Sequence, residues 1–296
     1  MHIIFEKLIT RHFADDTCLM FHNKKIKSIE TVVNYELKKL VQWLKANKLS
    51  LNKIKTEMII FHAFSKWLPT GFWIKINKHK LIPSSYVKYL GLYIDDTLSW
   101  KYYINILSNK LCMANGIISK LRHFVTIETC ISIYYAIFHS HIVYGSLVWQ
   151  FTTSDNLEKI NVLQKKCIRL LTFSDFNAHS NNLFFNLDLL KLEDVLEYSV
   201  IIFFFNLYKG RIPNVLSTNF KARNSIHSYP TRSSNCLDRR PVKTTRYGIN
   251  SISYRGVSMW NEFCKRTFNL DRILSNNNIK SNLKKQFLLS YKSDMN

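Results

Sequence analysis

From Thr129 to Ser154 the chain carries no Lys, Arg, Asp or Glu. An uncharged run of this length must either cross a bilayer or lie in the core of a folded domain. It contains His139, His141, Ser132, Ser140, Ser146 and Gln150, and segments patterned for amphipathic helices flank it. A buried core helix is therefore the expectation, with no membrane partner. The rest of the composition agrees: 47% of the 296 residues are hydrophobic, 14% are aromatic, and there are only 7 Gly and 5 Pro. That is enough apolar material for one large domain or two modest ones, with little room for long disordered stretches.

Charge is unevenly placed. Residues 1–94 carry 16 Lys/Arg against 6 Asp/Glu, residues 95–210 carry 10 against 10, and residues 211–296 carry 16 against 4, giving +22 overall. A neutral, apolar middle between two basic ends reads as a packed helical block flanked by surfaces that face a polyanion, since Lys and Arg gain affinity by releasing counterions from phosphates. The plainer alternative is solvated lysine in a Lys/Asn-rich chain. The six cysteines (Cys18, Cys112, Cys130, Cys167, Cys236, Cys264) form no CxxC pair and no zinc-knuckle spacing. The N-terminus shows neither a basic n-region nor a small-residue cleavage site. An intracellular setting, nuclear or cytoplasmic and not secretory, is expected.

Along the chain, Phe13-Ala14-Asp15-Asp16-Thr17-Cys18-Leu19-Met20-Phe21-His22 puts two acids between short apolar runs, which suits strand, tight turn and strand. Ile29, Val32, Val33, Leu37, Leu40, Val41 and Leu44 recur at helical spacing, with Asn47 just past the last turn. Residues 57–62, 72–77 and 86–94 read as strands, so the first third is expected to be a small mixed sheet with a helix on it. From Ser99 the period changes: Ile104, Leu107, Leu111, Ala114, Ile118 and Leu121 form a narrow helical seam. Further helices are expected at 127–150, 155–172, 189–209 and 279–291, with Pro213 marking the exit from the third of these.

Adjacent carboxylates at a hairpin turn repel one another, and a divalent metal is one way to offset that repulsion. Nucleotidyl transfer uses such ligands to hold two metal ions. A bare Asp-Asp pair is nonetheless common in turns and caps. The sequence repeats the triplet at Asp95-Asp96-Thr97, where the next helix lies close by and N-terminal capping accounts for the acids. Thr17 leads instead into an apolar strand, so metal binding is the better reading of Asp15.

Phe13-Ala14-Asp15-Asp16-Thr17 resembles the catalytic box of reverse transcriptases, and the segments after it strengthen the likeness. Trp43-Leu44-Lys45-Ala46-Asn47-Lys48-Leu49-Ser50-Leu51-Asn52, running into Lys55-Thr56-Glu57-Met58-Ile59-Ile60-Phe61, is similar to the palm segment that follows the box in polymerases of non-LTR (LINE, jockey-like) retroelements. Val87-Lys88-Tyr89-Leu90-Gly91-Leu92-Tyr93-Ile94-Asp95 resembles the primer-grip hairpin, and Leu98-Ser99-Trp100 the opening of the thumb. Tyr144–Trp149, Leu163–Arg169, Tyr229-Pro230-Thr231-Arg232 and Trp260-Asn261 look like the region beyond it.

The resemblance implies an RNA-directed DNA polymerase acting on an RNA template and a DNA primer with Mg2+ or Mn2+. By position Asp15 and Asp16 would be metal ligands, and Lys55 would stand near the incoming triphosphate as a general acid. Tyr89, Leu90 and Gly91 would place the primer end. For Lys55 a solvated lysine before a strand is the alternative, and for Gly91 a bulge in a plain strand. Arg232, Arg239, Arg240, Arg246 and Arg255, interleaved with Tyr229, Tyr247, Tyr254 and Trp260, could bind single-stranded nucleic acid by charge and stacking.

The family places another catalytic Asp on a strand well upstream of the box, whereas here only Glu6 precedes Asp15 among the acids. The expectation is a truncated polymerase that is inactive alone. The alternative is a non-catalytic nucleic-acid-binding protein derived from such an element. The expected fold is α+β: a partial palm over 1–96, a helical thumb and connecting helices over 97–210, and a basic C-terminal region over 211–296.

Overall fold

The computed structural model describes residues 8–13, 16–23, 26–52, 54–62, 72–77, 79–222, 236–239, 241–266 and 278–293. The chain divides into two compact units, Met1–Thr97 and Leu98–Asn296. The fold is α+β, with small antiparallel strand pairs in the first unit and helices throughout the second.

In the first unit β1 (Leu8–Phe13) and β2 (Asp16–Phe21) form an antiparallel hairpin whose register closes on Phe13 opposite Asp16. Helix α1 (Ile26–Ala46) follows from the periodic apolar positions: Val33, Leu37 and Val41 are buried against Ile74, Ile76 and Leu81, with Leu19 and Phe21 of β2 packed on the same cluster. Its end is fixed by backbone geometry. Lys48 adopts φ 56°, its N–H donates to Lys45 O (3.1 Å), and Leu49 N–H reaches back to Leu44 O (2.8 Å). That is a Schellman closure with Lys in the left-handed position that Gly usually takes.

Short strands β3 (Ile74–Ile76) and β4 (His79–Leu81) pair antiparallel. The β3 backbone is also held from α1 itself: Asn34 donates to Trp73 O (2.9 Å) and accepts from Lys75 N–H (2.8 Å), while Glu30 accepts from Trp73 N–H (3.2 Å). These side chains satisfy groups that a further strand would otherwise have to pair.

Strands β5 (Tyr86–Tyr89) and β6 (Leu92–Asp95) make a third hairpin. Its two turn residues, Leu90 and Gly91, both have positive φ (47° and 81°), the geometry that matches the right-handed twist of the flanking strands.

Four expectations are corrected here. Among the described residues the strands form three separate two-stranded hairpins, not one mixed sheet. Residues 57–62 make a single bridge, Met58 to Pro83, instead of a strand, and 86–94 is folded back on itself at Leu90-Gly91. Asp95 and Asp96 do not cap the next helix, which begins at Lys101 with Trp100 at its N-cap in the left-handed region (φ 63°). Asp95 is buried and accepts from Thr97 Oγ1 (2.9 Å), and the Asp96 carboxylate lies 3.7 Å from His62 Nε2. Both acids serve the end of β6, too far back to reach the first free N–H groups of the helix.

The second unit is built on α2 (Lys101–Leu121) and α6 (Ser154–Leu171). The seam of Ile104, Leu107, Leu111, Ala114 and Ile118 is buried as its spacing requires. The two helices run alongside each other in the same direction: Lys159 Nζ donates to Asn105 (3.3 Å), Asn115 to Leu163 O (3.0 Å) and Arg122 to Leu170 O (2.9 Å).

The uncharged run is buried, but not as one helix. It breaks into α3 (Ile127–Tyr134), a π-helical turn (Tyr135–His139), α4 (Ser140–Val143) and α5 (Ser146–Trp149), with Gly145 at φ 64° between the last two. Tyr134, Phe138, Ile142 and Trp149 are all buried across these breaks. No helix among the described residues is long and apolar enough to cross a membrane.

Then come α7 (Ser180–Asn186), α8 (Leu192–Tyr208), α9 (Asn214–Ser217), two π-helical turns (Thr245–Ile249 and Ile252–Gly256), α10 (Val257–Arg266) and α11 (Ile279–Ser293). Helix α8 is apolar on nearly all sides, and it sits in a cluster with Phe151, Leu237, Val257, Trp260, Phe263, Ile279 and Leu283. Tyr291 ties α11 to the start of α8: its hydroxyl donates to Asp194 and accepts from Lys191 N–H (2.9 Å).

Two outcomes follow for stability. Replacing fully buried Leu111 with Ala removes side-chain packing on the α2 seam, and chemical denaturation is expected to show a loss of about 3 kcal/mol. Burial, with a smaller contribution from Lys284, holds the His139 imidazole below its ordinary value of 6.5. The unfolded chain therefore takes up that proton first, so the stability linked to neutral His139 is complete above 6.5 and is lost as pH falls below it. Thermal melts are expected to show His139→Gln losing less stability than the wild type between about pH 7.5 and 5.5; equal losses would remove His139 as the cause.

Candidate catalytic hairpin and nucleic-acid interface

The β1–β2 hairpin presents Asp16 at the first position of β2, exposed, opposite the equally exposed Phe13. The strand is anchored at its other end by Leu19 and Phe21 in the α1 core, so the polar end projects while the apolar end is fixed. Asp15 lies outside the described residues, as do Arg232 and Arg240.

Lys55 is exposed in a turn, not before a strand. Asn52 Oδ1 accepts from Ile54 N–H (3.1 Å) and Lys55 N–H (3.2 Å), and Thr56 Oγ1 donates to Asn52 O (2.8 Å). The side chain of Asn52 thus replaces a backbone turn and leaves the Lys55 ammonium in solvent. Tyr89, Leu90 and Gly91 are brought together at the tip of the β5–β6 hairpin, with Leu90 exposed. Among the described residues no group of three His, Cys, Asp or Glu side chains comes together in a way that could hold a metal ion.

The basic C-terminal residues that are described converge more clearly. The Arg239 guanidinium lies 4.7 Å over the Tyr254 ring and donates to Ser258 Oγ (3.2 Å). Arg255 is next to Tyr254 in the second π-helical turn, and Arg246 and Tyr247 are exposed on the first, which packs beside it. Trp260 is a correction. It is fully buried among Phe204, Tyr208 and Phe263 and so offers no face to a base.

Its neighbour Asn261 has a role that sequence reasoning missed. The side chain accepts from Leu237 N–H (2.8 Å) and donates to Leu237 O (2.9 Å), clamping the segment that bears Arg239 onto α10. An Asn beside a buried Trp on an amphipathic helix was the available signal.

A groove of about 730 Å³ between α2 and α6 is lined by Asn105, Ser108, Asn109, Asp155, Glu158 and Lys159. Its mixed charge gives no preference for phosphate.

These parts are a hairpin with a projecting carboxylate, a tight turn at the end of the first unit and an arginine–tyrosine surface on a helical block. They follow one another along the chain in the order expected from the sequence. The chain is similar to the RNA-directed DNA polymerase from mobile element jockey of Drosophila melanogaster, 22% identical over 196 residues, 65% of this chain and 21% of that protein. It is likewise similar to a probable RNA-directed DNA polymerase from transposon X-element of the same organism, 19% identical over 194 residues, 64% of this chain and 21% of the relative. The expected resemblance to jockey-like reverse transcriptases is thus borne out, and the chain spans about a fifth of the length of the curated relatives it matches. No protein-family model and no solved structure matches it.

Leu90 offers a test of the grip-like hairpin. A leucine in the left-handed region is strained where Cβ meets the backbone, and Asn is tolerated there. Leu90→Asn is expected to raise stability by about 0.5 to 1 kcal/mol, read as a higher melting midpoint. A midpoint that falls would show that the exposed leucine contributes packing that outweighs its backbone strain.

Proposed function

We propose that this chain is part of a reverse transcriptase of a non-LTR, jockey-like retroelement: the palm from its Asp-Asp box onward, then the thumb and a basic C-terminal region. RNA template and DNA primer would be its partners. The observation that carries the reading is the similarity to two such polymerases over nearly two thirds of the chain, added to the ordered series of box, lysine-bearing turn, glycine-containing hairpin and helical seam.

Asp15 and Asp16 would be the metal ligands on this reading, and Lys55 and the Tyr89–Gly91 tip would act toward triphosphate and primer. Asp16 alone, an exposed carboxylate without further acids grouped around it among the described residues, does not make a site for Mg2+ or Mn2+. Two-metal catalysis needs ligands from two separated segments.

The basic C-terminal cluster favours a second reading, a nucleic-acid-binding role that does not need the acids. Arg239 is held by Tyr254 and Ser258 whatever the state of the carboxylates.

One experiment tests whether the acids act in this chain. The purified 296-residue chain is given a primed RNA template with Mg2+ or Mn2+, and binding and extension are both measured. Salt-sensitive binding without extension, unchanged by Asp15→Ala, is the expected result. Extension that disappears with Asp15→Ala would overturn the proposed inactivity and place the catalytic machinery within this chain.

A further inference from the structure

The outward side of α1 is the feature that nothing above accounts for. Thr31, Tyr35, Lys38, Gln42 and Lys45 follow one another at steps of four and three, so they stand in a single row about 21 Å long, roughly a third of a turn round the helix from Val33, Leu37 and Val41. All five are exposed, and Lys48, just past the helix end, is exposed as well. Tyr35 is 59% exposed, with the Lys39 ammonium 4.3 Å over its ring.

No acid lies in this row. The helix has two, Glu30 and Glu36, and both are engaged elsewhere: Glu30 accepts from Trp73 N–H, and Glu36, only 14% exposed, pairs with Lys39 at 3.4 Å. The result is a straight stripe of ammonium, amide and hydroxyl groups recurring roughly every 5 Å, with an aromatic ring among them.

We propose that this stripe binds the sugar–phosphate backbone of single-stranded nucleic acid, at a surface separate from the β1–β2 hairpin. Three features favour that partner. Ammonium groups without an acid among them on one exposed helix face suit a polyanion, and each phosphate neutralised releases counterions. An exposed tyrosine flanked by lysines supplies the stacking platform that sequence-tolerant single-strand binding uses. A bilayer surface is disfavoured because a helix lying in lipid needs a free apolar face, and the apolar face of α1 is already buried on β3 and β4. The hairpin bearing Asp16 packs through Leu19 and Phe21 on that buried side, so a strand held on the stripe lies on a different face of α1. The inference does not depend on whether the chain polymerises.

The test compares the full chain with Lys38→Gln/Lys45→Gln/Lys48→Gln and with Tyr35→Ala, using a short single-stranded oligodeoxynucleotide and an RNA of the same sequence. Glutamine keeps the helix propensity of lysine, and circular dichroism checks that helicity is unchanged.

For the triple variant the slope of log affinity against log salt is expected to flatten by about 2 with at least one of the two strands, because each phosphate left without its lysine takes roughly 0.7 from that slope. Affinity at low salt should fall about tenfold or more. For Tyr35→Ala affinity is expected to fall about tenfold with the slope unchanged, as for the removal of one base stack. The strand with the larger loss identifies the partner as DNA or RNA. Unchanged slope and affinity in the triple variant for both strands, or no effect of Tyr35→Ala, overturns the proposal while leaving the polymerase reading intact. Loss of binding to anionic vesicles alone overturns it in favour of a membrane. A wild-type chain that binds neither oligonucleotide would sink both readings.

Discussion

Burial of the uncharged stretch beyond α2 is the constraint on which the second unit depends. Tyr134, Phe138, Ile142 and Trp149 are fully buried, and each such side chain contributes on the order of 2 to 3 kcal/mol by leaving water. At 3.6 residues per turn these four positions already fall within about a quarter of the helix circumference, so their spacing alone directs them to one side. The π-helical turn at Tyr135–His139 and the left-handed Gly145 change the direction of the chain twice within the run. Polar groups freed by these breaks are taken up locally: the indole of Trp149 donates to Tyr144 O (3.0 Å), just ahead of the glycine. Where buried polar side chains remain, they link elements. Gln164 of α6 donates to both the Tyr134 hydroxyl and Leu190 O, each at 3.0 Å, fixing α3 and the approach to α8 against one side chain.

The first unit solves a different problem with little apolar material. Two-stranded hairpins are marginal on their own. Here β3 and β4 gain support from α1, whose Asn34 amide stands in for a neighbouring strand by bonding both Trp73 O and Lys75 N–H. Asn261 repeats the device in the second unit, closing on both backbone groups of Leu237. An asparagine side chain carries the donor and acceptor of a peptide group, so a helix can satisfy the backbone of an adjacent segment without any further strand. In the second unit the segment so held carries Arg239.

Periodicity made the long helices legible, because α1, α2, α6 and α8 each bury a face or more that the apolar spacing already marks. It did not reveal α7, whose Ser180-Asn-Asn-Leu-Phe-Phe-Asn186 stretch has poor intrinsic propensity and is held by packing against α6 and α11. Strand pairing was the least legible part. Whether Met58–His62 pairs with one residue or five depends on partners distant in sequence, and alternation of apolar and polar residues carries no such information. Asp95 and Asp96 misled for a related reason. Two acids shortly before a helix look like a cap, but the αL residues Leu98 and Trp100 delay the helix until Lys101. Trp260 misled because an aromatic in a basic region reads equally well as a stacking platform or as core. Only its packing on Phe204, Tyr208 and Phe263 decides between them.

The two kinds of basic surface on this chain differ in how much order they carry before any partner arrives. On α1 the cations are lysines on long flexible stems, and the rigid element is the helix beneath them. Such point charges attract phosphate from several directions, and their rotamer freedom is lost only on binding. In the C-terminal region Arg239 is already stacked on Tyr254 and bonded to Ser258, and its segment is clamped by Asn261. A planar guanidinium fixed in that way has lost most of its freedom during folding, so it can favour one orientation of a bound group. The lysine row thus keeps its charges mobile on a rigid helix, whereas the arginine–tyrosine cluster holds its guanidinium in one place. Between them the segment from residue 95 to 210, neutral in net charge, devotes its composition to packing, which is why the charges stand at the two ends.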